Sequence, residues 1–283
     1  MEQQVLCGRY RLSERIGAGA CAAVFSAYDL KLGREVAVKI FSADSADVRR
    51  QEQEIRALSK VQHPFLISLF DCGIYETALD APRAYMVMEL IHGQDLRVLL
   101  AESSVIGGLR PAKVARFGWA LAEALAAVHS AGVIHRDVKP ANILIGRSEL
   151  PVLCDFGVAR LHDSAQATSP GQTIGTASYL SPEQALGEAV HPSADIYSLG
   201  LVLLECLTGQ KAFPGTALEA SLARLLRDPV IPESLEGSWQ PLLTAMTERN
   251  PLNRPDAAEC GQVLFELQLQ VPAHPLSVQF YMF

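Results

Sequence analysis

The sequence has no apolar run of the length that spans a bilayer, no internal repeat and no low-complexity tract. It also lacks a basic stripe: 24 Lys and Arg stand against 31 Asp and Glu, a net charge of −7, which argues against a nucleic-acid partner. The six cysteines form no CxxC pair and no metal-ligand spacing, so reduced thiols are expected. Met1-Glu2-Gln3-Gln4 is too polar for a secretory signal, and Val5-Leu6-Cys7-Gly8 lacks the apolar stretch that precedes a lipoprotein cleavage site. These absences together predict a cytoplasmic protein that does not insert into membranes. What is present is an ordinary globular composition, 49% hydrophobic and 19% charged, in a chain long enough for one large domain or two lobes.

The first ninety residues have the pattern of strands. Tyr10 to Ile16 and Val24 to Asp29 flank Gly17-Ala18-Gly19-Ala20-Cys21-Ala22, and Glu35 to Phe41 follows a turn at Gly33. In Val36-Ala37-Val38-Lys39-Ile40 the larger apolar residues recur with period two. Asp44 to Lys60 has the spacing of a helix, stopped by His63-Pro64, and further strands are predicted at Leu66 to Asp71 and Tyr85 to Glu89. Beyond His92-Gly93 the pattern becomes helical. Val114, Phe117, Leu121, Leu125 and Val128 recur at spacings of three and four, and Gly132 suits the end of that helix. Asp195 to Thr208 is apolar nearly all round, as in a helix buried in the middle of a lobe. Shorter helices are expected at Leu218 to Arg227, Trp239 to Thr247 and Asp256 to Leu269.

The densest chemistry lies in His135-Arg136-Asp137-Val138-Lys139-Pro140-Ala141-Asn142, between a helix end and the apolar Ile143-Leu144-Ile145. Polar groups held there by a rigid scaffold suit catalysis. The glycines of Gly17-x-Gly19-x-x-Ala22 would let backbone N–H groups approach phosphate oxygens, although a plain hairpin turn has the same composition. Lys39, on the inward face of a strand, needs a partner, and Glu54 in the next helix is the natural one; a solvated charge is the plainer reading of Glu54. Asp155-Phe156-Gly157 puts a carboxylate at a strand end, where it and Asn142 offer hard oxygen ligands to Mg²⁺.

In this order the motifs resemble those of the eukaryotic-type protein kinases, specifically their bacterial Ser/Thr branch. The matching elements run from about Tyr10 to about Leu269 and include Ser181-Pro182-Glu183, Asp195 and Arg254. The resemblance implies an α+β, two-lobed fold: a small antiparallel-sheet N-lobe with one helix over residues 10–88, a hinge at 89–93 and a mainly helical C-lobe at 94–269, flanked by a 1–9 extension and a 270–283 tail. It implies ATP and Mg²⁺ as cofactors, protein substrates with Ser/Thr acceptors and room for a cognate phosphatase.

The family's roles fall on Asp137 (acceptor base), Lys139 (phosphoryl charge), Lys39 with Glu54 (inner phosphates), Thr176 (beside the base), and Asn142 with Asp155 (metal). The nucleotide would be lined by Ile16, Gly17, Ala18, Gly19, Ala20, Cys21, Ala22, Ala23, Val24, Ala37, Met88, Glu89 and Ile91. Ala22 departs from the family's third glycine, with a modest effect on nucleotide affinity expected. Arg136 before Asp137 implies a phosphorylated activation segment, with Thr168 or Thr173 foremost and Ser169 beside them. Two rivals remain: a pseudokinase scaffold, and a small-molecule kinase on a related fold. Cys154 is expected to be an inert buried thiol, with a reactive cleft thiol as the sharper alternative. His63, His129 and His191 are expected to be structural, and Trp119 and Trp239 to be core.

Overall fold

A computed structural model describes residues 4–19, 22–42, 48–76, 81–155 and 177–270. Its first layer is an antiparallel sheet of β1 (Val5–Leu6), β2 (Tyr10–Ala18), β3 (Ala22–Asp29), β4 (Arg34–Phe41), β5 (Leu69–Tyr75) and β6 (Arg83–Met88), in the order β1-β2-β3-β4-β6-β5. Strand β1 falls within the nine residues expected as an extension and pairs Val5 with Arg11. The period-two pattern of β4 divides its side chains between two cores. Val36, Val38 and Ile40 pack with Leu6, Tyr10, Leu12 and Val87. Ala37 and Phe41 face the other way, into the core continuous with the helical lobe. Lys39 alternates with Val38 and Ile40 and so lies on this second face. Helix α1 (Val48–Leu58) buries Ile55 against that core.

The predicted strand at 66–71 is displaced: β5 begins at Leu69. The reason is a competing partner. The Ile67 N–H donates to the Leu153 carbonyl (2.9 Å) and the Leu153 N–H to the Phe65 carbonyl (2.8 Å), so this stretch is tied to β9 (Pro151–Leu153) of the larger lobe.

Between the lobes, Gly93 passes so close to the Ile145 carbonyl oxygen that any Cβ would collide with it. A second, small sheet follows, β7 (Gln94–Asp95), β8 (Ile143–Ile145) and β9. The helical lobe comprises α2 (Leu96–Ser103), α3 (Pro111–Ser130), α4 (Pro182–Leu186), α5 (Ser193–Thr208), α6 (Ala217–Leu226), α7 (Trp239–Met246) and α8 (Ala257–Gln270). Pro111 starts α3 at the position where a missing N–H costs nothing. Gly118 lets α3 close on Leu203 of α5 and Leu264 of α8, since a Cβ there would lie 2.9 Å from one Leu264 methyl. Helix α5 is buried from Ala194 to Leu207, as its unbroken apolar pattern predicts. Trp239 is core, whereas Trp119 is only partly buried, between Phe65 and Phe265. Among the described residues no helix is long and apolar enough to cross a membrane.

Candidate active site

The glycine-rich stretch forms the tip of the β2–β3 hairpin. Gly17 pairs with Val24 and Ala18 with Ala23, and the Gly19 N–H donates to the Ala22 carbonyl at 2.9 Å. Ile16 is exposed at the end of β2, while Ala20 and Cys21 lie outside the described residues. Below the hairpin the register sets Val24 opposite Lys39 and Ala37 opposite Met88. Glu89 follows β6 and donates its N–H to the Ser68 carbonyl, with Ile91 two residues on and half-buried.

Lys39 Nζ forms an ion pair with Asp155 Oδ1 at 2.9 Å, joining the small lobe to the large one across 116 positions of sequence. The partner expected for it was Glu54. That residue is in α1, and its side chain lies outside the described residues. Asp155 itself has a φ of 58°, the left-handed region, which re-aims the chain immediately after β9.

The loop from His135 to Asn142 is held from below by one buried carboxylate. Asp195 of α5 accepts from the His135 N–H (2.8 Å) and the Arg136 N–H (2.7 Å), and lies 2.8 Å from His129 Nε2. This constraint matters because Arg136 has a φ of 67°, a conformation costing an L-residue about 1–2 kcal/mol. Its carbonyl is held as well, by Gln184 Nε2 at 3.0 Å. His135 is fully buried, and desolvation lowers its pKa. Its Nδ1 accepts from the Asp137 N–H, which leaves Nε2 as the donor to the Cys154 carbonyl at 3.0 Å. A neutral imidazole thus ties the loop to the residue before Asp155.

On this frame Asp137 Oδ2 lies 2.7 Å from Lys139 Nζ and accepts from Asn142 Nδ2 at 2.9 Å. Asn142 also donates to the Asp137 backbone carbonyl at 2.8 Å, and its own carbonyl accepts from the Cys154 N–H. Of the seven catalytic and metal groups expected from sequence, the five that are described (Lys39, Asp137, Lys139, Asn142 and Asp155) form one linked set in the cleft. Asn142 and Asp155 supply amide and carboxylate oxygens, the hard donors that suit Mg²⁺. Among the described residues no three His, Cys, Asp or Glu cluster as a metal site. None is needed where waters and substrate phosphates complete the shell. Phe156, Gly157, Thr168, Ser169, Thr173 and Thr176 lie outside the described residues.

Cys154 is buried, its Sγ lies 3.3 Å from the Asn142 carbonyl, and desolvation raises its pKa well above that of an ordinary thiol. Thiol reactivity follows the thiolate, so Cys154 should resist alkylation equally with and without ATP, while exposed Cys7 reacts. Peptide mass spectrometry after iodoacetamide checks this; Cys154 alkylated without ATP and protected by it would contradict it.

Two contributors were not legible as site residues. Gln184 fills the third position of a capping box at α4, its Oε1 accepting from the Ser181 N–H at 3.0 Å, while its amide nitrogen reaches Arg136. The Ser-x-x-Gln spacing signals the cap but not the reach. Arg224 of α6 is fully buried with no sequence signal at all.

The protein kinase domain model matches residues 10–265 of the chain. The serine/threonine-protein kinase PknA of Mycobacterium tuberculosis is 37% identical over 257 residues, covering 88% of this chain and 58% of that protein. PknB of Mycolicibacterium smegmatis is 40% identical over 265 residues, 89% of this chain and 41% of the relative. A probable serine/threonine-protein kinase of Corynebacterium efficiens is 43% identical over 218 residues, 75% of this chain and 32% of its own length. The chain thus spans between 32% and 58% of the length of these relatives.

Proposed function

The chain belongs to the protein kinase family, and on that premise we propose that it is a serine/threonine protein kinase, transferring the γ-phosphoryl group of ATP to protein hydroxyls. The observation that carries the reading is the Asp137 carboxylate, bounded by Lys139 and Asn142 and linked through Asn142 to Asp155 of the Lys39–Asp155 pair. Phosphoryl transfer asks for positioning and charge neutralisation more than covalent chemistry. Asp137 orients the acceptor hydroxyl and takes its proton. Lys139, beside it, meets charge on the transferred group, and Lys39 grips the inner phosphates. Asn142 and Asp155 would hold Mg²⁺, which supplies neutralisation of phosphate charge when bound. Protein acceptors, an opposing phosphatase and a cytoplasmic location belong to the same reading.

The test is transfer from γ-labelled ATP with Mg²⁺, followed by phosphoamino-acid analysis. Label on serine or threonine supports the proposal. Label confined to small metabolites would redirect it to another acceptor class, and ATP binding without transfer to a scaffold.

A second expectation concerns the segment after Asp155. Arg136 carries its charge beside Asp137, and a phosphate of charge near −2 is a natural partner for a guanidinium. Autophosphorylation is therefore expected at Thr168 or Thr173, with Ser169 as the neighbouring candidate. Phosphopeptide mapping of ATP-treated protein checks it, and an unmodified segment in an active enzyme would count against a switch.

A further inference from the structure

Helix α6 is built inside out. Leu218, Leu222 and Leu226, spaced four apart on one face, are 68%, 50% and 81% exposed, whereas Arg224 is 0% exposed. A capping box of Thr216 and Glu219 fixes the start of the helix, and Ala220, one turn before Arg224, leaves room for the long side chain to pass inward. There the guanidinium donates to backbone carbonyls: Nε to Ala220 at 3.1 Å, Nη1 to Leu180 and Nη2 to Ala177. It also lies 5.0 Å from the Phe213 ring centre. Desolvation brings its pKa down to about 10, so it stays charged at neutral pH.

Burying a cation against carbonyl dipoles alone is a poor source of stability, and a well-packed apolar residue of similar volume often does as well. What the guanidinium supplies is a fixed fork of donors, and it grips two carbonyls three residues apart. The same short segment is held from α5, where Ser198 Oγ donates to the Tyr179 carbonyl at 2.7 Å and the Tyr179 hydroxyl donates to Glu205. Ala177–Leu180 leads directly into Ser181 and α4, whose Gln184 holds the carbonyl of Arg136 beside Asp137. The path of Ala177–Leu180 is thereby coupled to the position of the acceptor base.

We propose that Arg224 is a positioning residue for the protein acceptor: by clamping the Ala177 and Leu180 carbonyls it fixes the wall against which a peptide presents its hydroxyl to Asp137. The proposal rests on the reading of the chain as a kinase of protein hydroxyls.

The experiment uses the full chain and a degenerate peptide library with one Ser or Thr per member, followed by steady-state kinetics on the best peptide. Arg224→Met removes all the donors, while Arg224→Lys keeps the charge and can reach one carbonyl. The acceptor KM is expected to rise about tenfold in Arg224→Met, equivalent to about 1.4 kcal/mol. The ATP KM should stay put, and Arg224→Lys should fall between wild type and Arg224→Met. Wild type that labels no member overturns the kinase reading itself. Active wild type with an unchanged acceptor KM in both variants overturns only the role of Arg224. So does loss of folded protein in both variants, which marks Arg224 as merely structural, or a fall in kcat with neither KM altered, which marks it as a support of Asp137 and not of the acceptor.

Discussion

Asp137→Asn should lower the turnover number for phosphate transfer by about 10²- to 10⁴-fold, the range that a positioned proton acceptor contributes. The amide keeps the size of the carboxylate and can still accept a hydrogen bond from Asn142 Nδ2, now 2.9 Å from Oδ2. It has no useful basicity, so the acceptor proton has nowhere nearby to go. It also withdraws the negative charge 2.7 Å from Lys139 Nζ. The ATP KM should change little, because the groups assigned to the nucleotide are Lys39, Asp155 and the β2–β3 hairpin, and the Lys39–Asp155 pair is formed independently of Asp137. Steady-state kinetics with labelled ATP checks both halves. A variant with wild-type turnover would remove Asp137 from the chemistry and shift the base to another group.

Arg254→Ala should destabilise the fold by about 3–5 kcal/mol, the cost of stripping one partner from a buried ion pair. Arg254 and Glu183 have side chains 0% and 5% exposed. Nη1 and Nη2 each bond one Glu183 oxygen, at 2.7 and 2.9 Å. The remaining donors reach the carbonyls of Glu248, Ser193 and Arg249, so the guanidinium is fully satisfied. Alanine would leave a buried carboxylate without its counter-charge, together with orphaned carbonyls. Set against a domain stability of about 5–15 kcal/mol, that is a large fraction. Urea denaturation measures it, and Glu183→Gln combined with Arg254→Met should cost less than the two single losses added, since no unpaired charge remains.

The pair also fixes a pH dependence. Burial, the largest single influence, pushes the Glu183 carboxyl up, but the hydrogen bonds and charge of Arg254, its own backbone N–H and the Ser181 side chain together outweigh it and hold the pKa below the ordinary glutamate value of 4.5. A folded-state pKa below the unfolded one gives stability that is present above pH 4.5 and lost as pH falls through the folded value. The Arg254→Ala deficit should therefore shrink in acid.

Much of the fold was legible because burial leaves a local period. Val36, Val38 and Ile40 alternate in sequence and separate onto one face of β4, and Asp195 to Thr208 is apolar all round and lies within the buried α5. The loop proposed as catalytic was legible for another reason, since its acid, base and amide lie within eight residues, His135 to Asn142. Strand β5 was misplaced because Phe65 and Ile67 are apolar enough for a sheet, yet hydrogen-bond to Leu153, 88 and 86 positions away.

The sequence by itself determined most of the strands and helices and the side chains proposed to carry the chemistry. For several buried charges only the tertiary structure decided what each meets. Lys39 has a plausible partner fifteen residues on in Glu54, whose side chain lies outside the described residues; its ion pair with Asp155, 116 residues away, has no local signal in the sequence. Asp195 stands in an apolar helix, and its role emerges only when the His135 and Arg136 N–H groups are folded against it. Arg224 shares α6 with exposed leucines, the reverse of what amphipathic patterning implies. The physical reason is common to all three. Hydrophobic periodicity reports how much of an element is withdrawn from water, a local quantity, whereas a desolvated charge is satisfied by whichever dipole or counter-charge the rest of the chain brings within about 3 Å.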